Sequence, residues 1–469
     1  MSKHSSNEYI RKPLDGSVIF KGTMCLVLGF ILVLVGVLLG EVYQTPEKNH
    51  EKTEKQNIEI ANRKKEELTN KLLLNSSKPA AHIETQAAHD NAEGTSHETA
   101  GHKGEIVAPI PATMGARIWA NFLVMFLFIT SVGVGSLFLI GLEHLVGAKW
   151  STPLRRVTEL LSFMIFPALI LGLIVIFGGG MNILYDAWIN PQGDTIILGK
   201  ASYLNATWFS IRFLIIFSFW IFFYLFFIRN SKAQDTTRDQ KYSRLSGKFA
   251  PVFIIGFAFT ISLLAIDWIM TLSPKWFSTM FGVAYFGGTV TAALAANVFA
   301  SVKMKENEYL HPQMENDTFY SLAGLMFGFN CFWAYVSFCQ FMLIWYSNIP
   351  EETFWFLLRW DGNWLCYTLV MILFHFVIPF ALLVSRSAKT NLGRLKVMAI
   401  WLMVAHYVDL YWQVVPTFSK SPMIGFVEFG FLLISLGLIV MVFAWKAKNV
   451  NHVPIGDPKL EIGLGFRLH

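Results

Sequence analysis

The stretch Arg117–Val146, RIWANFLVMFLFITSVGVGSLFLIGLEHLV, decides the fold: between Arg117 and Glu143 no side chain carries a formal charge. A helix that crosses a bilayer needs roughly 20 mostly apolar residues, so this stretch reads as a membrane span. Nine others read the same way: Val18–Gly40, Glu159–Gly180, Trp208–Ile228, Phe249–Leu272, Thr279–Val302, Phe319–Tyr346, Trp364–Ser385, Val397–Val415 and Met423–Ala444. In lipid every backbone polar group needs an internal partner, which apolar stretches of this length obtain as helices. The chain is therefore expected to be an all-α polytopic membrane protein with ten transmembrane helices.

Charge gives the orientation, because Lys and Arg accumulate in short cytoplasmic loops. Cations crowd the N-terminus (Lys3, Arg11, Lys12) and the loops after the second span (Lys149, Arg155, Arg156) and the fourth (Lys232, Arg238, Lys241, Arg244, Lys248). They recur after the sixth span (Lys303, Lys305), after the eighth (Arg386, Lys389, Arg394, Lys396) and in the tail (Lys446, Lys448). The intervening loops offer little beyond Lys200, Lys275, Arg359 and Lys420. Both termini are thus expected to be cytoplasmic. Residues 41–116 carry many cations but form a loop long enough to be exempt from the rule, so this arm is placed on the periplasmic side. The N-terminus lacks a small-residue cleavage site, and span one is expected to be a retained anchor. The net charge of +6 follows from loops beside anionic lipid and implies no nucleic-acid partner.

Within the arm, Glu51–Leu74 reads as a surface helix and Ser76–Gly104 as a flexible segment. His82, His89, His97 and His102 match no compact ligand spacing and no Cys joins them, so no metal is expected there. Cys25, Cys331, Cys339 and Cys366 fall in or beside spans and form no Cys-x-x-Cys pair. Covalent haem, an iron–sulfur cluster and a disulfide framework are therefore not expected, and any redox centre would belong to a partner.

Small residues mark helices that approach closely in lipid: Gly133, Gly135, Ser136 and Gly141 in span two, and Gly287, Gly288, Ala292, Ala293, Ala295 and Ala296 in span six. Both spans are expected inside the bundle. Ionisable residues at membrane depth cost about 2.5–3.5 kcal/mol each and mark function by default. An inner group comprises Glu143, His144 and Glu159; a middle-to-outer group comprises His375, His406, Asp409, Asp267, Arg212 and Glu428. Asn330, Ser337 and Gln340 are candidates to bridge them. The functional reading is a proton relay through His375, His406, Asp409, Asp267 and Glu428, with Glu143 and His144 as its inner port. The plainer reading makes Arg212 and Asp267 a fixed ion pair. A b-type haem would need facing His ligands, for which His375 and His406 are the candidates. Two-haem membrane cytochromes usually repeat His along one helix, and no span here does so.

Several strings are more specific. They are Ile266-Asp267-Trp268-Ile269-Met270-Thr271-Leu272-Ser273-Pro274-Lys275-Trp276-Phe277-Ser278-Thr279, Phe332-Trp333-Ala334-Tyr335-Val336-Ser337-Phe338-Cys339-Gln340 continuing to Glu352, Asp409-Leu410-Tyr411-Trp412, and Asp457-Pro458-Lys459-Leu460-Glu461. Together they resemble the F subunits of alternative complex III, the quinol:cytochrome c oxidoreductases of bacterial respiratory chains, in the polysulfide-reductase NrfD-like membrane family. The resemblance covers spans two to ten and the tail. It implies two four-helix bundles (117–272 and 279–415) plus two flanking helices (18–40 and 423–446), with residues 1–17 and 447–469 cytoplasmic, in the bacterial inner membrane.

It also implies partners: a paralogous quinol-binding membrane subunit, periplasmic subunits with c-type haems and iron–sulfur clusters, membrane lipids, and a terminal oxidase as acceptor. Menaquinone/quinol and the metal centres would then lie in those partners, with no cofactor bound by this chain. Ser273 and Lys275 depart from the family pattern, which has an acidic residue and a histidine there, so no outer proton exit is expected through them. The rival readings are a quinone site in this chain built from His406, Asp409 and Trp412, a purely structural scaffold, and a stand-alone transporter. The last would need helices broken at mid-membrane, for which Pro167 and Pro379 are the main candidates.

Overall fold

A computed structural model of the chain describes residues 14–40 and 113–467. The expected surface helix and the histidines of the 41–116 arm lie outside the described residues. Ten helices are long and apolar enough to span a membrane: α1 (Gly16–Leu38), α2 (Met114–Val146), α3 (Thr152–Phe177), α4 (Ala206–Thr237), α5 (Lys241–Leu272), α6 (Phe281–Glu306), α7 (Asn316–Ser347), α8 (Asn363–Leu383), α9 (Leu392–Thr417) and α10 (Phe426–Ala447). No strand occurs among the described residues. The protein is an all-α polytopic membrane protein. The main differences from the expected bounds are at α4 and α5, whose helices run beyond the apolar core through polar residues such as Gln234 and Ser243, joined by a side-chain hydrogen bond.

α2 and α6 sit innermost because their small residues admit neighbouring backbones. A Cβ on Gly133 would lie 2.7 Å from the amide nitrogen of Ile165 on α3. One on Gly135 would lie 2.6 Å from the Cβ of Ala293 on α6, and one on Gly288 2.9 Å from the His406 ring on α9. α2 accordingly touches α3, α4, α5, α6, α9 and α10, while α6 touches α2, α3, α5, α7 and α9. The seam between α2 and α6 joins the first set of helices, α2–α5, to the second, α6–α9.

The flanking pair uses the same device. The buried residues of α1 are Gly22, Gly29 and Gly36, seven apart and so on one face. Gly29 meets Gly430 and Gly22 meets Gly437 of α10, while Gly36 faces Val427: a Cβ on Gly29 would lie 2.7 Å from the Gly430 carbonyl oxygen.

Two spans are irregular, both for the same reason. Proline has no N–H to offer the carbonyl four residues back. Pro167 coincides with the interruption of α3 at Phe163–Met164, and Pro379 follows a π-helical turn at Leu373–Val377 in α8. Each is a local adjustment within a continuous span. On the side opposite the cation-rich loops, a helix at Pro350–Trp360 lies between α7 and α8. On the cation-rich side the tail docks closely: a Cβ on Gly463 would lie 2.5 Å from the Lys149 carbonyl oxygen, and Asp457 pairs with Arg155.

Candidate functional site

α9 brings two polar side chains inward, one turn apart: His406 is fully buried and Asp409 nearly so. The Asp409 Oδ2 accepts a hydrogen bond from the Trp333 indole N–H of α7 at 3.2 Å and from the Gln413 amide at 3.0 Å. The His406 Nδ1 lies 4.0 Å from the same oxygen. On its other side, His406 Nε2 is 3.1 Å from the Ser131 hydroxyl of α2. Ser131 in turn lies 3.4 Å from the Tyr285 hydroxyl and 3.3 Å from the Thr289 hydroxyl, both on α6. A buried polar line thus runs Asp409, His406, Ser131, Tyr285, crossing the α2–α6 seam.

Beside it, the His375 ring packs tilted against Trp333, with centroids 3.7 Å apart and planes at 38°, and lies 6.4 Å from the His406 ring. Among the described residues no hydrogen-bond partner meets either His375 nitrogen, the His406 Nδ1, the Asn330 carboxamide or the Gln413 Oε1. Native interiors seldom leave so many polar atoms together without partners. Against this cluster lies a cavity of about 570 Å³ with Trp355, Phe341 and Met371 among its apolar walls. Asp409, Gln413, Thr368 and Gln340 supply its polar lining. Trp412 is also on the wall, its indole N–H donated to Thr368 Oγ1 at 2.8 Å.

Behind the cavity-lining residues Trp355, Trp412 and Gln413 sits Arg359, a position the sequence marks only as a loop cation. Its guanidinium is fully buried, 3.3 Å from the Trp355 ring centroid, and donates to the carbonyls of Trp412 and Gln413 at 3.1 and 2.7 Å. It closes the C-terminal turn of α9, where carbonyls lack helical partners and a cation is favoured. Burial pushes Arg359 well below the ordinary arginine value.

The other carboxylate candidates have arginine partners. Asp267 takes Arg212 through two hydrogen bonds, at 2.8 and 3.1 Å, and a third from the Tyr203 hydroxyl at 2.9 Å. Burial, then the Asp267 charge, pushes the Tyr203 hydroxyl upward. Glu428 takes Arg117 through two hydrogen bonds, at 2.8 and 2.5 Å, besides Asn121 and the Gly425 N–H. This geometry makes Glu428 the anchor of α10 on α2 and sets it apart from the α9 line. Its partner, 311 residues away in the chain, gave no local signal.

At the cation-rich end, Glu143 pairs with Arg155 at 3.2 Å, and Glu159 shares Arg156 with Asp235. His144 stacks on Phe227, with centroids 5.5 Å apart. Glu143 and His144 therefore form a cluster separate from Asp409 and His406. Of the expected bridging residues, Asn330 is buried near the cluster and Gln340 and Ser337 line the cavity.

No protein-family model matches this chain, and no curated protein matches it.

Proposed function

We propose that this chain is an integral membrane subunit of a quinol-oxidising respiratory complex of the bacterial cytoplasmic membrane, and that its own task is to carry a proton at Asp409. In this reading, the haem, iron–sulfur and quinol-binding partners implied by the resemblance pass electrons to cytochrome c or a terminal oxidase. The family part rests on the strings around Asp267, Trp333, Asp409 and Asp457. One observation carries the proton part: Glu143, Glu159, Asp267 and Glu428 are each held by an arginine, whereas Asp409 is held by neutral donors.

Breaking a buried ion pair costs about 3–5 kcal/mol, because it strands a charge. A carboxylate held by an indole and an amide gains or loses a proton without that cost. Oxidation of a quinol releases its hydroxyl protons with its electrons. Asp409 takes up such a proton, His406 exchanges it through Nδ1, and the Ser131 and Tyr285 hydroxyls, each both donor and acceptor, extend the line. The test is Asp409→Asn in the intact complex reconstituted into vesicles. Subunit content and electron transfer are expected to persist while proton release per electron falls; unchanged proton release overturns the assignment.

A second reading is favoured by the cavity itself. An aromatic pocket of this size with a few convergent polar groups suits a flat apolar ligand, and a quinone ring there would meet Asp409, Gln413 and Trp412. A photoreactive quinone analogue is expected to label the α7–α9 walls; labelling confined to partner subunits counts against this reading.

A further inference from the structure

A second groove opens at the cation-rich end of the molecule, walled by α1, α6, α9 and α10 with Leu161 of α3, and enclosing about 460 Å³. Its depth is apolar and buried, with Leu161, Ala296, Met403 and Ile439 on the walls. Its rim is exposed and polar, with Asp15, Ser17, Lys21 and Lys303. The groove exists because α1 is fastened to α10 by its glycine face, leaving its other flank standing off α6 and α9.

The rim carries an excess of positive charge. Glu306 is bridged by both Lys303 and Lys396, at 3.0 and 2.5 Å, and the Asp15 carboxylate is engaged by the Ser17 hydroxyl and N–H at the start of α1. On the groove's own rim Lys21 and Lys303 thus face one carboxylate, Asp15, while Glu306 beside it is offset by Lys396. The Tyr309 hydroxyl accepts from the Asp15 N–H at 3.0 Å, and its ring packs edge-on to His452, which ties this rim to the tail.

We propose that the groove binds an anionic phospholipid of the leaflet on the cation-rich side, an acyl chain along its apolar walls and the phosphate at the rim of Lys21 and Lys303. A groove facing a bilayer fills with what surrounds it, and the charge of the rim selects the headgroup. Cations near an anionic headgroup contribute about 1 kcal/mol each, or roughly a fivefold change in affinity.

The test uses the full chain in mild detergent, titrated with dioleoylphosphatidylglycerol or dioleoylphosphatidylcholine and read by native mass spectrometry. The wild type is expected to retain the anionic lipid preferentially. Lys21→Gln and Lys303→Gln, exposed and so compatible with folding, are each expected to weaken that retention roughly fivefold with little change for the zwitterionic lipid. Ala300→Phe, which fills the groove, is expected to lower both. Equal retention by the wild type and all three variants overturns the proposal. So does displacement of the lipid by glycerol phosphate with no effect of Ala300→Phe, which would show a headgroup contact alone. A cross-link from Ala300→Cys to a partner subunit in native membranes also overturns it, because a partner helix would then fill the groove.

Discussion

Two buried aspartates, one in each half of the molecule, sit in opposite kinds of surroundings. In α2–α5, Asp267 is locked by Arg212 and Tyr203, and the neighbouring interior is filled by rings, with Phe126, Phe209 and Phe213 within 4.4–5.3 Å of Trp268. In α6–α9, Asp409 has neutral partners, polar atoms without partners beside it, and a cavity at its wall. The lesson concerns the cost of a charge at depth. A paired and packed carboxylate is held in one state, while one with neutral donors and open volume has room to change state.

The comparison breaks most visibly if the two aspartates respond alike. Asp267→Asn strands the Arg212 guanidinium and is expected to destabilise the protein by about 3 kcal/mol, the low end for a buried pair because Arg212 keeps some exposure. Replacing both partners, Arg212→Met with Asp267→Leu, is expected to recover most of that loss. Asp409→Asn is expected to cost under about 1.5 kcal/mol, since it exchanges one acceptor for another beside the same donors. Thermal unfolding of the full chain in one detergent orders the three variants; equal losses at Asp267 and Asp409 would remove the distinction.

A smaller effect is expected at the seam that joins the halves. Gly135→Ala places a methyl group 2.6 Å from the Ala293 Cβ and 2.8 Å from the Thr289 carbonyl oxygen. Overpacking of this kind costs about 1–3 kcal/mol. Because Ser131 and Thr289 lie on the same two helices, the substitution is also expected to lengthen their contact and slow proton exchange along the line. A loss of stability with no change in proton release would detach the seam from the Asp409 line.

Much of the helix layout was legible from residues alone. Mostly apolar stretches about as long as a bilayer core announced the spans, and small-residue clusters announced α2 and α6 as the innermost helices. Arg212 and Asp267 could be paired because they carry opposite charges near the start of one span and the end of the next, which antiparallel packing brings to the same level. Less was legible where the signal was spread along the chain. Arg117 and Glu428 are distant in sequence and meet only after folding. The glycines of α1 and α10 did carry a readable signal, a seven-residue spacing in both helices. The cavity gave none, because a void is a property of how side chains from α7, α8, α9 and the 350–360 helix fail to fill a space. Neither did Arg359, whose role depends on which carbonyls the end of α9 presents to it.

The smallest expected effect lies at the rim of the first half, where the two halves should again differ. Lys200 donates to the Pro274 carbonyl oxygen at 2.7 Å, and Lys275 pairs with Asp194 at 2.6 Å. The hydrogen bond from Lys275 holds the Asp194 carboxyl below its ordinary value, helped by the Ile197 and Ile196 N–H groups. A carboxylate with a depressed folded value contributes fully above the unfolded value of about 3.9 and loses its contribution as pH falls through the folded one. Asp194→Asn should therefore lower the unfolding temperature slightly at pH 7, less so in high salt, and the difference from wild type should vanish on acidification below pH ~3. A difference that persisted in acid would mean that the charge of Asp194 is not what holds the rim, since asparagine keeps an acceptor for the Ile196 and Ile197 N–H groups. The rim would then be held by backbone geometry, and only the interior of that half by charge.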